Sequence, residues 1–76
     1  MFDKKIFSKR LIMLRKQLGV SQIVVANAVN VNRTAITHME NAERAASIEV
    51  LYALADYFDV SLDYLVGRSD DPKFHK

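Results

Sequence analysis

Residues 21–41 read SQIVVANAVNVNRTAITHMEN, a stretch with no acid until Glu40. Its apolar residues fall into two short helical patterns, separated by AVNVN at residues 28–32. The hydroxyl of Ser21 can accept a first-turn N–H, which makes it an N-cap and places a helix over about 22–29. Asn30 adopts positive φ at modest cost and so can turn the chain. Asn32 then caps a further helix over about 33–41. Val29 to Asn32 alternate apolar and polar, but so short a run between two helical patterns makes a turn, not a strand.

The rest of the chain extends the pattern in both directions. Upstream, Leu11, Leu14 and Leu18 follow Phe7 at spacings of four, three and four. That is one face of an amphipathic helix starting near Asp3 or Lys4. Gly19 stands where a left-handed cap ends such a helix. Downstream, Ser47 opens a helix with Ile48, Leu51, Leu54, Ala55 and Phe58 on one face. Glu49 lies in its first turn, where the helix dipole favours an acid. Ser61 opens a short fifth helix with Leu62 and Leu65 inward, and Gly67 ends it. The segment RSDDPKFHK, residues 68–76, is polar, contains Pro72 and reads as a loosely held tail. The expectation is an all-α domain of five helices over residues 1–68, followed by a polar C-terminal tail over 69–76.

With 76 residues the chain is one domain. A chain of this size buries only about 60 % of its unfolded surface, so packing has little to spare. It has no cysteine, which excludes a disulfide scaffold and a thiolate metal site. No signal-peptide pattern opens the sequence, and no apolar run approaches the roughly 20 residues of a membrane span. A cytoplasmic location and no membrane partner are expected. The net charge of +2 conceals an asymmetry. Residues 1–47 hold eight Lys/Arg and three acids, and residues 48–76 hold three Lys/Arg and six acids. Such a division suggests a polyanionic partner for the basic half. There is no Ser/His/Asp set, no pair of carboxylates in an apolar setting and no Gly-rich phosphate loop. The chain is also too short for a closed pocket, so it is not expected to be an enzyme. His38 and His75 have no carboxylate at metal-ligand spacing. No metal, cofactor or small-molecule ligand is expected.

The second helix of the opening stretch carries the candidate site. Arg33, Thr34, Thr37 and His38 are separated by one, three and one, and share one helical face. Ala35, Ile36 and Met39 occupy the opposite face. The polar face offers donors, acceptors and methyl groups but no carboxylate. A major groove demands that chemistry: arginine for guanine, hydroxyls and imidazole for base edges, threonine methyls for thymine. A carboxylate there would repel the phosphates. Two short helices joined by a tight turn, the second bearing such a face, form a helix-turn-helix, and the expected partner is double-stranded DNA.

At these residues the chain resembles the phage Cro/repressor-type, or XRE-like, helix-turn-helix family. The resemblance covers about residues 7–67. It is carried by RLIMLRKQLGVSQ (10–22), VNVNRTAITHMENAER (29–44) and SIEVLYALADYFDVSLDYLVGR (47–68). It implies a five-helix lambda-repressor-like domain that binds DNA sequence-specifically. It also implies a two-fold dimer on an operator. The reading drawn from it is a homodimeric transcriptional regulator on a pseudo-palindromic operator, a repressor if it acts by excluding polymerase, with activation the alternative. By position it implies base contacts from Arg33, Thr34, Thr37 and His38. Backbone contacts are implied for Gln22, Asn32, Asn41 and Arg44, and a structural salt bridge for Arg15 with Glu40. The sequence departs from the family at Ala42, where glycine is usual, at Glu43, where a basic residue is usual, and at Ala46, where proline is common.

Ile12, Met13, Ile23 and Val24 stand where relatives carry charge. They support an alternative reading, a protein-interaction module on the same fold, antitoxin-like or antirepressor-binding. They fit equally a rearranged core or a scatter of single apolar residues. Lys4, Lys5, Lys9 and Arg10 either reach flanking phosphates or form a solvated face. Tyr52, Tyr57 and Tyr64 lie in the acidic half and read as core or dimer interface. The dimer surface is sought around Tyr64, Val66 and Phe74.

Overall fold

The computed structural model describes residues 2–73. Five helices follow one another: α1 (Lys4–Leu18), α2 (Gln22–Ala28), α3 (Arg33–Glu40), α4 (Ile48–Phe58) and α5 (Leu62–Leu65). No strand occurs among the described residues. Each helix begins in the same way. The side chains of Asp3, Ser21, Asn32, Ser47 and Ser61 accept N–H groups of the first turn that would otherwise lack a partner.

The helices also end alike. Gly19, Asn30, Ala42, Asp59 and Gly67 all have positive φ. The residue after each reaches back to a carbonyl of the last turn. Val20 N–H donates to Arg15 O (3.3 Å), Val31 to Ala26 O (2.9 Å), Glu43 to His38 O (2.9 Å), Val60 to Ala55 O (3.0 Å) and Arg68 to Asp63 O (2.8 Å). These are Schellman closures, which satisfy orphan carbonyls and turn the chain sharply. Asn30 and Asp59 tolerate the left-handed region through their short polar side chains. Ala42 has no such help.

The core is built from Phe7, Leu11, Val25, Ile36, Leu54 and Leu65, all fully buried. α1 packs on α3, α4 and α5; α2 packs on α3, and α4 on α5. Leu18 and Ile48, placed inward by helical spacing, are instead 53 % and 57 % exposed. Each occupies the outermost turn of its helix, where cover by neighbouring elements ends. Val20, just past the α1 closure, packs against the core. Met13 also packs there and Ile12 is half-buried, so both are partly covered. Ile23 and Val24 remain outside, at 49 % and 43 % exposure. Tyr57 and Tyr64 pack against the core, whereas Tyr52 is exposed.

Arg10 faces the C-terminal segment, not a flanking phosphate. Its Nη1 donates to Tyr64 O and Ser69 O, both at 2.6 Å, and Nη2 pairs with Asp70 Oδ1 at 2.8 Å. The guanidinium also lies 4.0 Å from the centre of the Tyr64 ring, a cation–π contact. Ser61 N–H donates to Pro72 O at 2.8 Å. Residues 69–72 are therefore fastened to α1 and to the start of α5, where a loose tail was expected. Phe74 and His75 lie outside the described residues. Gly67 sits close beneath α1: a Cβ there would stand 2.4 Å from Ile6 Cγ2. Among the described residues no helix is long and apolar enough to cross a membrane.

Candidate nucleic-acid interface

α3 is held against the scaffold by a buried ion pair. Glu40 Oε2 accepts from Arg15 Nε at 2.6 Å and Oε1 from Arg15 Nη2 at 3.0 Å. The two side chains are only 6 % and 17 % exposed. This two-point geometry fixes direction as well as distance. The hydrogen bonds to Glu40 raise the Arg15 pKa above the ordinary guanidinium value; burial opposes them, and the carboxylate charge adds to them. Arg15 Nη1 also donates to Val20 O at 3.1 Å. The Ser8 hydroxyl donates to Glu40 O. α1 thus grips the end of α3 by side chain and main chain together.

The same carboxylate organises α2. Gln22 Nε2 donates to Glu40 Oε1 at 3.1 Å, and Gln22 Oε1 accepts from the Thr37 hydroxyl at 2.9 Å. The chain Arg15–Glu40–Gln22–Thr37 links α1, α2 and α3 through hydrogen bonds. Gln22, placed by sequence on the DNA backbone, has one amide hydrogen left over after this duty. Thr37, placed among the base readers, is half-buried. Its hydroxyl is turned to Gln22, or alternatively to Arg33 O at 3.1 Å.

The other site residues lie outward. Arg33 and Thr34 are exposed, and their side chains make no hydrogen bond or ion pair among the described residues. Asn32 caps α3 through Oδ1, which accepts from Ala35 N–H at 2.8 Å, and keeps its Nδ2 hydrogens for another partner. Asn41 and Arg44 are exposed in the loop after α3. Arg33, Thr34 and His38 therefore gather on one side of α3, with Asn32 at its start and Asn41 at its end. Thr37 sits at the edge toward α2.

One feature of this face differs from the sequence reading. α3 itself carries no outward carboxylate, but Glu43 returns to its last turn. Glu43 Oε1 lies 3.2 Å from His38 Nδ1 and accepts from Asn41 Nδ2 at 3.4 Å. The cause is the Schellman closure, which swings residue 43 back over residue 38. The signal available in the sequence was the position of Ala42, where relatives usually carry glycine: the left-handed turn that glycine favours brings Glu43 N–H back to His38 O.

A helix-turn-helix family model matches residues 11–65. The chain belongs to the helix-turn-helix family, of the XRE type, and has the fold of DNA-binding transcriptional regulators. The phage P22 c2 repressor, solved in complex with a synthetic operator, superposes with a TM-score of 0.80. It is 30 % identical across 84 % of this chain and 97 % of its own. The restriction-modification controller protein C.AhdI of Aeromonas hydrophila superposes with a TM-score of 0.76, at 28 % identity over 83 % of this chain and 91 % of its own. Among curated relatives, the HTH-type transcriptional regulator YqaE of Bacillus subtilis is 35 % identical over 69 residues, 90 % of this chain. The regulator PrpR of Mycobacterium tuberculosis is 29 % identical over 69 residues, 91 % of this chain. This chain spans 60 % of the length of YqaE and 14 % of PrpR.

Proposed function

We propose that this protein binds double-stranded DNA sequence-specifically and regulates transcription as a repressor. α3 enters the major groove, Arg33, Thr34 and His38 meet base edges, and Thr37 lies at the margin of that contact. Gln22, Asn32, Asn41 and Arg44 fix register on the sugar–phosphate backbone. A homodimer on a pseudo-palindromic operator places two α3 helices in successive major grooves, about 10–10.5 base pairs apart. Occupied operator DNA then excludes polymerase by bulk, and the protein works in the cytoplasm. The observation that carries this reading is the free, exposed pair Arg33 and Thr34 on a helix locked by the Arg15–Glu40 fork. That combination is a poised, rigid reader with nothing of its own to read.

Selection of bound duplexes from a random pool tests it. A two-fold symmetric consensus with the stated spacing is expected. Binding to that consensus should weaken steeply with salt, with a log–log slope near −7 if a dimer neutralises about eight phosphates. A pool that yields no enriched sequence refutes the proposal. The exposed Ile23 and Val24 keep one competing reading in view, a protein partner seated on α2. Loss of function on Ile23→Glu with retained DNA affinity would favour that partner.

A further inference from the structure

We infer that Glu43 is a specificity-determining residue: by holding His38 Nδ1–H it presents Nε2 to the groove as a hydrogen-bond acceptor, for a base carrying an exocyclic amine. The inference rests on the DNA-binding reading above and deepens it. An ionised carboxylate only accepts hydrogen bonds. The 3.2 Å contact between Glu43 Oε1 and His38 Nδ1 therefore requires the proton on Nδ1. In the neutral ring that leaves a lone pair on Nε2. Nδ1 and Nε2 lie on different edges of the ring, so a ring anchored at Nδ1 turns Nε2 away from Glu43. The His38 side chain is 41 % exposed, and its Nε2 takes no hydrogen bond among the described residues.

The clamp has two points, which is why its geometry is definite. Glu43 N–H donates to His38 O at 2.9 Å, so main chain and side chain of residue 43 both engage residue 38. Asn41 Nδ2 donates to the same Glu43 oxygen, which steadies the carboxylate over the ring. In the major groove the exocyclic donors are adenine N6 and cytosine N4, whereas guanine N7 and O6 and thymine O4 only accept. An acceptor at Nε2 selects adenine or cytosine and excludes guanine and thymine, whereas a donor there is met by guanine, thymine or adenine N7 and excludes cytosine. Glu43 thus decides, without touching DNA, whether guanine and thymine or cytosine is excluded at that position, and acts as a positioning residue for His38.

The test uses the full chain at about pH 8, where an ordinary imidazole is neutral. Duplex selection is run on wild type, His38→Ala, Glu43→Gln and Glu43→Ala, and long-range proton–nitrogen correlation reports the His38 tautomer without DNA. The base position that His38→Ala erases should show adenine or cytosine in wild type. Both Glu43 variants should reduce that preference by about threefold to tenfold, the value of one hydrogen bond. Other positions should keep theirs, while overall affinity rises because a carboxylate has left the phosphates. The wild-type spectrum should show Nδ1–H, and the variants a mixture. A wild-type Nε2–H tautomer, a guanine or thymine at that position, or a preference unmoved by both variants overturns the role of Glu43 and leaves DNA binding intact. A pool with no enriched duplex overturns the DNA-binding reading together with it.

Discussion

The left-handed residues that close the helices allow a quantitative test of the fold, because three of them sit in different surroundings. Ala42 has φ 60° in the turn after α3. An L-residue with a Cβ costs about 1–2 kcal/mol there. Replacement by glycine removes that strain, but it also enlarges the freedom of the unfolded chain by about 0.4–1 kcal/mol. It further removes a half-buried methyl, about half of the 0.8 kcal/mol for a fully buried one. The balance for Ala42→Gly is a stabilisation of about 0.5 kcal/mol. At about 2.1 cal/mol/K per residue for the entropy of unfolding, this is a rise of about 3 °C in Tm. Gly19→Ala is the mirror experiment. Its φ is +72°, and an added Cβ meets nothing within 4 Å, so neither burial nor collision intervenes. Strain less the entropy gain predicts a loss of about 0.5–1 kcal/mol, or about 3–6 °C. Calorimetry or thermal circular dichroism of the two variants beside wild type is the assay. A Tm that falls for Ala42→Gly, or that does not move for Gly19→Ala, refutes the claim that these closing residues are strained by their Cβ.

Gly67→Ala combines strain with collision, because its Cβ would lie 2.4 Å from Ile6 Cγ2. Overpacking of about 1–3 kcal/mol then adds to the strain, and Ile6→Ala in the same chain should recover part of the loss in a denaturant titration. Glu40→Ala leaves the half-buried Arg15 with Val20 O but without its carboxylate, and should cost about 1–3 kcal/mol by the same titration. Since the Arg15 pKa is raised, its stabilising effect is complete below the unfolded guanidinium value and lost only above the folded one. The part of the Glu40→Ala penalty that comes through Arg15 should therefore stay constant from about pH 6 to 9. Arg33→Ala should cost about 1–3 kcal/mol of operator affinity and relax one base position, read by competition binding. Arg10→Ala should speed amide exchange across residues 68–73, whereas Asp70→Ala should change it little. The Asp70 side chain is 99 % exposed, and the bonds from Arg10 to the Tyr64 and Ser69 carbonyls survive that change.

What could be read from sequence was the local chemistry. Ser21, Asn32, Ser47 and Ser61 act on N–H groups three residues away, and Asn30 and Gly19 turn the chain by their own torsions, so type and position suffice. Asp59 has the same role without an obvious sign, because an aspartate is as common on a solvated helix surface as in a left-handed turn. The long-range polar contacts were a different matter. Arg10 meets Asp70 across 60 residues and Thr37 meets Gln22 across 15; nothing local to either residue names its partner. The Arg15–Glu40 assignment came by resemblance, and Gln22 was read only for what it offers DNA, so its bond to Glu40 went unseen. Helical spacing also misplaced Leu18 and Ile48, because periodicity gives the direction of a side chain but not where a neighbouring helix stops.

Folding decides which of the formal charges remain available to a partner. Of the cations in the basic half, Arg15 is consumed by Glu40 and Arg10 by Asp70 from the acidic half. Neither is left to attract a polyanion. Glu40, the acid that ends the opening stretch, is likewise hidden, at 6 % side-chain exposure. A duplex approaching α3 therefore meets Arg33 and Arg44 free, and one acid, Glu43, at the far end. Lys4, Lys5, Lys9 and Lys16 are exposed as well, so phosphate attraction is available from the basic half, but it carries no sequence information, and discrimination must come from the placement of a few side chains. Placement needs rigidity. The buried Arg15–Glu40–Gln22 cluster provides it, since a helix of eight residues has little stability of its own. The ion pair contributes less to net stability than to fixing one orientation of α3, and the loss of sequence discrimination on breaking it should exceed what the remaining phosphate contacts can restore.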